Sequence, residues 1–140
     1  MSDANDAAKE TIIIAEDSPP NRKILAHLLE KLGFKVISCE HGQEAWEALA
    51  NPENKNVVLI ISDIMMPTMD GLQLLKQIRQ SPGHKDMPVV LVTAVSEKDY
   101  IVQARELSVN GYILKPVTFQ RVTSKLQELF PAKIFPKIAG

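Results

Sequence analysis

The sequence has a single cysteine, no long hydrophobic run and almost no net charge. Because Cys39 has no second cysteine to pair with, an internal disulfide is excluded, and a reducing compartment is the simplest inference. The apolar runs are only as long as strands, and residues 1–9 lack an apolar signal core, so neither a membrane span nor a secretion signal is expected. A net charge of −1 provides no basic field for nucleic acid. We therefore expect a cytoplasmic protein without a direct nucleic-acid or membrane partner.

What is present is the composition of one ordinary globular domain. The 140 residues are 45% hydrophobic and 24% charged, which is enough apolar material for a single core. We predict a disordered lead over residues 1–10, a folded domain over residues 11–130 and a loose tail over residues 131–140. No internal repeat or low-complexity tract interrupts this division.

Short apolar segments alternate with segments of helical period along the predicted domain. The predicted strands are residues 11–15, 35–38, 57–62, 89–93 and 112–114. Strands that alternate with helices across short loops form βαβ units, which have a parallel sheet with helices on both faces. The sequence therefore predicts an α/β fold in which the central strand, residues 57–62, is buried on both sides.

Capping residues mark where the predicted helices begin. Ser18 stands before a proline, Asp70 has Gln73 three residues later as a capping-box partner, and Ser96 and Thr118 precede two further helices. The apolar side chains predicted to face the core are Ile24, Leu25, Leu28, Leu29 and Leu32 in the first helix, Leu72, Leu75 and Ile78 in the third, and Val122, Leu126 and Leu129 in the last.

Polar side chains follow four of the predicted strands. Glu16 and Asp17 come after the first strand, Asp63 after the third, Thr93 ends the fourth and Lys115 follows the fifth. Since the carboxyl ends of parallel strands share one edge of a sheet, these groups should converge. Three crowded carboxylates require a cation or protons, and Mg²⁺ suits oxygen ligands, while a hydroxyl and an ammonium suit phosphoryl oxygens. The set predicts a site for phosphoryl transfer onto an aspartate.

With these residues in place, the chain resembles the receiver domain of two-component response regulators. The resemblance covers about residues 11–130 and implies a doubly wound, flavodoxin-like (βα)5 fold whose five parallel strands have the order 2-1-3-4-5. The residues that carry it are Glu16-Asp17, Asp63, Met66-Pro67 with Asp70-Gly71, Thr93-Ala94, and Tyr112 to Lys115-Pro116.

The resemblance implies a role for each residue of the site. Asp63 would accept a phosphoryl group from the phosphohistidine of a sensor histidine kinase. Asp17, Asp63 and the backbone carbonyl of Met65 would hold Mg²⁺, with Glu16 acting through water. Lys115 would pair with Asp63 and later with the phosphoryl group. Such a protein is not an enzyme in the usual sense, because it catalyses only its own phosphorylation and dephosphorylation.

The resemblance also implies a conformational switch. Thr93 would move to bond a phosphoryl oxygen, and Tyr112 would swing into the space that Thr93 leaves. The face built from the fourth helix, the fifth strand and the fifth helix would then change its affinity for a downstream effector, or the phosphoryl group would pass to a histidine phosphotransfer domain. A homodimer remains open, and the Lys115-Pro116 peptide bond is expected to be cis.

Four positions stand out against the usual receiver pattern. Glu16 replaces a frequent aspartate, which lengthens one arm of the acidic pair. Ser108 lies where many receivers have the glycine that ends the fourth helix. Met65 and Val95 are apolar and flank the path of a hydrolytic water in this family, so we predict a long-lived phosphoaspartate.

Two other functions are compatible with the pattern. A phosphatase with an aspartyl-phosphate nucleophile would carry a second aspartate two residues after Asp63, where this chain has Met65. An atypical receiver that serves only as a dimerisation or scaffold module is disfavoured by the intact set of Asp17, Asp63, Thr93 and Lys115. The sequence does not identify the kinase, the output partner or the oligomeric state.

Overall fold

The computed structural model describes residues 10–94 and 97–133. Over these residues all strand pairs are parallel, and the strand order is β2-β1-β3-β4-β5. The predicted doubly wound, flavodoxin-like fold is therefore confirmed. The elements in chain order are β1 (Thr11–Ala15), α1 (Pro19–Lys31), β2 (Lys35–Cys39), α2 (Gly42–Ala50), β3 (Val57–Asp63), α3 (Gly71–Arg79), β4 (Val89–Thr93), α4 (Lys98–Glu106), β5 (Gly111–Leu114) and α5 (Phe119–Leu129).

Alternate residues of the central strands enter two hydrophobic clusters, one on each face of the sheet. Ile13 and Ile60 pack with residues of α2, α3 and α4, whereas Ile12, Leu59 and Ile61 pack with residues of α1 and α5. These isoleucines and leucines are at most 1% exposed. Since each such side chain contributes about 1.5–3 kcal/mol on burial, the two clusters hold the strand ends in a fixed arrangement.

Strand β1 lies between β2 and β3, so the connections from β1 and β2 leave toward opposite sides of the sheet. The crevice at the carboxyl ends of β1 and β3 is the point where the strand order reverses. In open α/β sheets this is where ligands bind, because the flanking loops diverge there.

The predicted helix caps can be compared with the observed ones. Asp70 and Gln73 form the expected capping box, with hydrogen bonds of 2.8 and 2.9 Å. The Thr118 hydroxyl accepts the amide of Arg121 at 3.1 Å. Ser18 occupies the N-cap of α1, but its hydroxyl makes no capping bond. Its backbone amide donates to the carboxylate of Glu16 at 3.1 Å. Ser96 lies outside the described residues.

One predicted core assignment was wrong, and one core residue was missed. Ile24 is 52% exposed, because the buried face of α1 is centred on Leu25 and Leu29 and leaves Ile24 at its margin. In α3 the buried positions are 71, 74, 75 and 78, so Leu74 is fully buried and Leu72 lies only at the edge of the cluster.

Cys39 ends β2 and packs in the core at 4% exposure. Burial, with the nearby charge of Glu44, raises the pKa of its thiol to about 12. The thiol therefore stays protonated at neutral pH, as expected for a packed rather than a reactive cysteine.

Arg79, the last residue of α3, joins three segments at the amino-terminal edge of the sheet. Its guanidinium donates five hydrogen bonds of 2.8–3.0 Å, which are received by the carbonyl oxygens of Lys85, Met87, Leu107 and Ser108 and by the side-chain oxygen of Asn110. We call these residues the Arg79 clamp. The clamp uses every N–H of the guanidinium and was not foreseen from the sequence.

No helix within the described ranges is both long and apolar enough to cross a membrane. Most of the predicted lead and tail, residues 1–9 and 134–140, lies outside these ranges, so the predictions made for them stay predictions.

Candidate functional site

Three carboxylates meet at the carboxyl ends of β1 and β3. Glu16, Asp17 and Asp63 each place an oxygen within 4.8 Å of the others. The pairing of Ala15 with Ser62 sets the two strand ends side by side. Glu16 and Asp63 are 6% and 3% exposed, whereas Asp17 is exposed. The structure therefore brings together the acidic residues that the sequence placed at this edge.

Lys115 provides the cation that contacts this cluster directly. Its Nζ lies 2.9 Å from Asp63 Oδ2. Burial alone lowers the pKa of Lys115, but the hydrogen bond and charge of Asp63, with the charges of Glu16 and Glu97, raise it above its ordinary value overall. The ammonium is therefore firmly protonated beside the buried carboxylate.

The second oxygen of Asp63 is not satisfied. Asp63 Oδ1 is buried, and none of the described residues donates a hydrogen bond to it. A buried acceptor of this kind is costly unless another group binds it. A hard cation or an electrophilic phosphorus would supply the missing interaction, and the oxygen-only surroundings fit Mg²⁺.

The pKa of Glu16 is affected by the same excess of negative charge. Its pKa is raised to about 7, chiefly by burial and also by the charge of Asp63, against the opposing effects of the Ser18 amide and of Lys115. A proton on Glu16 at neutral pH does part of what a bound cation would do, since both reduce the repulsion among the three carboxylates.

Two glycines shape the loop that follows Asp63. A Cβ on Gly71 would lie 2.4 Å from the carbonyl oxygen of Asp63, and one on Gly42 would lie 2.5 Å from that of Met69. The Gly71 amide donates to Ile64 and the Gly42 amide to Met69. The loop can therefore fold back beneath Asp63 only because both positions lack a side chain. The role of Gly42 was missed, since nothing near it in the sequence indicates the contact.

Thr93 and Tyr112 lie on the other side of Asp63. Thr93 is 2% exposed, and its hydroxyl donates to the Ala94 carbonyl at 3.1 Å. Tyr112 is 42% exposed. Both line a cavity of about 410 Å³ between α4 and β5, to which Ile101 and Leu114 also contribute.

The remaining predicted features are placed as follows. The Lys115-Pro116 peptide bond is cis, as expected. The Met65 side chain is 49% exposed. Ser108 has a φ of 58°, the left-handed conformation that glycine adopts easily. The backbone at this position is therefore left-handed although the residue is serine and not glycine. Val95 lies outside the described residues.

One further residue near the site was missed. Glu97 begins the α4 region, and its carboxylate accepts the amide of Ala94 at 2.6 Å. Its position four residues after Thr93 was the only signal in the sequence, and that signal alone does not predict the contact.

Comparison with known proteins identifies the family. A family model described as the response regulator receiver domain matches residues 12–127. The chain belongs to the response regulator receiver family. The receiver is 37% identical over 119 residues to a chemotaxis protein CheY homolog of Campylobacter jejuni, an alignment that covers 84% of this chain and 90% of that protein. It is equally 37% identical over 118 residues to chemotaxis protein CheY1 of Helicobacter pylori, with 83% and 93% covered.

Solved structures agree with this assignment. The signal receiver domain of a signal transduction histidine kinase from Syntrophus aciditrophicus is 31% identical to this receiver, with a TM-score of 0.77 and coverage of 94% of this chain and 98% of that one. The protein is therefore a CheY-like receiver of two-component signal transduction, with an acidic cluster that is compatible with a metal site.

Proposed function

We propose that this receiver is the phosphoacceptor of a two-component phosphorelay, with Asp63 as the acceptor. One observation carries the proposal. Asp63 is buried, Lys115 binds one of its oxygens, and the other oxygen has no partner among the described residues. In the transfer, an Asp63 oxygen bonds to phosphorus while the phosphorus–nitrogen bond of a kinase phosphohistidine breaks, and its electron pair remains on the imidazole nitrogen.

The acidic cluster supports a magnesium site in the same place. Asp17, Asp63 and the carbonyl oxygen of Met65 would hold Mg²⁺, and Glu16 would contribute through water. The ion would supply positive charge to the phosphoryl oxygens in the transition state. Asp63 provides the nucleophilic oxygen, while Asp17, being exposed, leaves the site open toward solvent.

Lys115 and Thr93 are assigned to the phosphoryl group. Lys115 already lies 2.9 Å from Asp63, so its ammonium is positioned to bind a phosphoryl oxygen once that group is attached. The Thr93 hydroxyl would turn from the Ala94 carbonyl toward another phosphoryl oxygen. The cavity between α4 and β5 gives Tyr112 space to move inward, which would alter the face formed by α4, β5 and α5 for a partner.

A groove beside the acceptor supports docking of the phosphodonor. It has a volume of about 510 Å³, and it is lined by Glu16, Asn21, Ile24, Lys115, Pro116 and Val117. The exposed Ile24 gives this groove an apolar contact at its rim. We propose that a sensor histidine kinase, or a histidine phosphotransfer domain, presents its histidine there.

Several further predictions belong to the same proposal. They are a domain over residues 11–130, a cytoplasmic location, no catalysis beyond its own phosphorylation and dephosphorylation, and a long-lived phosphoaspartate beside the apolar Met65. A homodimer stays open. The phosphatase alternative still lacks its second aspartate at Met65, and the scaffold alternative would leave the unsatisfied Asp63 oxygen without a use.

Intact mass spectrometry tests the proposal directly. Wild type and Asp63→Asn are incubated with acetyl phosphate, with Mg²⁺ or with a chelator. We expect one added phosphoryl group in wild type with Mg²⁺, and none in Asp63→Asn or without the metal. Loss of the added mass over time then measures the lifetime of the phosphoaspartate. A folded wild type that gains no mass under any Mg²⁺ condition would favour the scaffold alternative.

A further inference from the structure

Glu97 makes two close contacts at the carboxyl end of β4. Its Oε1 accepts the Ala94 amide at 2.6 Å, and the same oxygen lies 3.5 Å from the Thr93 hydroxyl. Bonds from an amide to a carboxylate are shorter and stronger than those between neutral groups. One anionic oxygen therefore lies against two neighbouring donors beside the acceptor aspartate.

These contacts engage the hydroxyl of Thr93. A hydroxyl has a single proton to donate, and that of Thr93 has the Ala94 carbonyl at 3.1 Å and Glu97 at 3.5 Å as its acceptors. To bond a phosphoryl oxygen, the hydroxyl must leave both. A phosphoryl group brings about two negative charges to the same place, and Glu97 would repel it.

Glu97 also acts electrostatically on the site. Lys115 is partly buried, which lowers its pKa, while the charges of Asp63, Glu16 and Glu97 raise it. Glu97 therefore already interacts electrostatically with the Lys115 ammonium, which would bind the phosphoryl group.

We infer that Glu97 is an internal competitor of the phosphoryl group and that it favours the unphosphorylated arrangement of the receiver. This inference rests on the proposed function, because it assigns a regulator to the same site. Glu97 is the N-cap of α4, so its displacement from Ala94 would shift the start of the helix that lines the output face. The contact would thus link the acceptor to that face through a two-state element.

A purely structural role for Glu97 makes a different prediction. The Glu97 amide donates to the Ala94 carbonyl at 3.0 Å, so the two residues are joined in both directions and the pair of bonds by itself orders this turn. Glutamine preserves that pattern, because its side chain also accepts an amide. If Glu97 only orders the turn, Glu97→Gln should phosphorylate as wild type does and Glu97→Ala should be slower.

The test measures the initial rate of phosphoryl incorporation from acetyl phosphate at fixed Mg²⁺ by intact mass. The proteins are wild type, Glu97→Gln, Glu97→Ala and Asp99→Asn, with an unfolding curve recorded for each. Asp99 is a matched control, since it is an exposed carboxylate in the first turn of α4 and makes the same change in charge. We expect both Glu97 variants to react about three- to tenfold faster, with alanine at least as fast as glutamine, and Asp99→Asn to stay within about twofold of wild type.

The remaining outcomes separate this inference from the proposed function. If Glu97→Gln reacts at the wild-type rate or more slowly, Glu97 is not a competitor, although Asp63 remains the acceptor. Equal acceleration by Asp99→Asn overturns the inference as well, because general charge would then explain the rate. If no protein gains a phosphoryl group, the proposed function fails and this inference fails with it.

Discussion

The charged groups at the two edges of the sheet differ in how fully they are hydrogen-bonded. At the amino-terminal edge, Arg79 donates five hydrogen bonds, mainly to backbone carbonyls, and every donor has a partner. At the carboxyl edge, three carboxylates have oxygens within 4.8 Å of one another, and one oxygen of the buried Asp63 has no partner among the described residues. We call the edge with Arg79, whose guanidinium donors all have partners, the complete edge, and the edge with Asp63 the incomplete edge.

This difference indicates that the hydrogen bonds of Arg79 stabilise the receiver, whereas the crowded carboxylates around Asp63 destabilise it. Binding sites commonly retain groups that destabilise the free protein, because those groups gain their partners only with the ligand. The Arg79 clamp joins α3, the loop before β4 and the loop before β5, so it fixes β4 and β5, at whose opposite ends Thr93 and Lys115 lie. We infer that the complete edge supports the incomplete one.

Removing the clamp should have the largest effect on stability. Arg79→Ala removes a donor from five acceptors, of which the Asn110 oxygen keeps the amide of Val89. Because several of the others can turn to water, we expect a loss of about 2–4 kcal/mol in the free energy of unfolding. Chemical denaturation measures the loss. Lys76→Ala is the control, since Lys76 is exposed in the last turn of the same helix and should change stability by less than about 0.5 kcal/mol. Equal losses in the two variants would show that the clamp is not a major source of stability.

A methyl group beneath Asp63 should disturb the carboxyl edge. In Gly71→Ala the added Cβ meets the Asp63 carbonyl oxygen at 2.4 Å, so the backbone must shift. We expect a loss of about 1–3 kcal/mol, measured by denaturation, together with slower phosphoryl incorporation. Gly83→Ala is the matched control, because its Cβ would have nothing within 4 Å. A Gly71→Ala protein as stable and as reactive as wild type would mean that the loop has more freedom than its contacts indicate.

The carboxyl edge should also make stability depend on pH. The pKa of Glu16 is raised from 4.5 to about 7, chiefly by burial, so the folded protein binds more protons than the unfolded chain between these values. The contribution of Glu16 is therefore fully present below about pH 4.5, decreases as pH rises and is lost above about pH 7. Allowing for screening by solvent, we expect about 1–2 kcal/mol over this window in metal-free buffer.

Denaturation curves across this pH range, compared with Glu16→Gln, measure the effect. The free energy of unfolding of Glu16→Gln should change less with pH than that of wild type, because glutamine does not titrate. Glu30→Gln, a change at an exposed carboxylate on α1, should retain the wild-type profile. A Glu16→Gln profile that is as steep as the wild-type profile would assign the pH dependence to other groups.

The sequence predicted the incomplete edge better than the complete one. Asp63, Thr93 and Lys115 each lie at or just after the end of a strand, and a parallel sheet brings such ends together whatever the loops do. The Arg79 clamp and the Glu97 contact depend instead on loop conformation. The bond from Arg79 to Leu107 spans 28 positions, and no local pattern of residues indicates it. Ile24 was misplaced because helical periodicity alone does not fix the margin of a buried face.

Ser108 should provide the smallest effect, at the complete edge. It receives one of the Arg79 hydrogen bonds through its carbonyl, and its φ of 58° disfavours any residue with a side chain. Ser108→Gly preserves the carbonyl and relieves this conformation, so we expect a gain of about 0.5–1 kcal/mol by denaturation, after allowance for the greater freedom of glycine in the unfolded chain. Gly33→Ser gives the converse test after α1, where φ is 101° and no atom lies within 4 Å of an added Cβ, so a loss there would come from the backbone alone. If Ser108→Gly instead lowers stability, the serine side chain stabilises the protein by more than its backbone conformation costs. The complete edge would then include a stabilising contact of the Ser108 side chain in addition to the hydrogen bonds of Arg79.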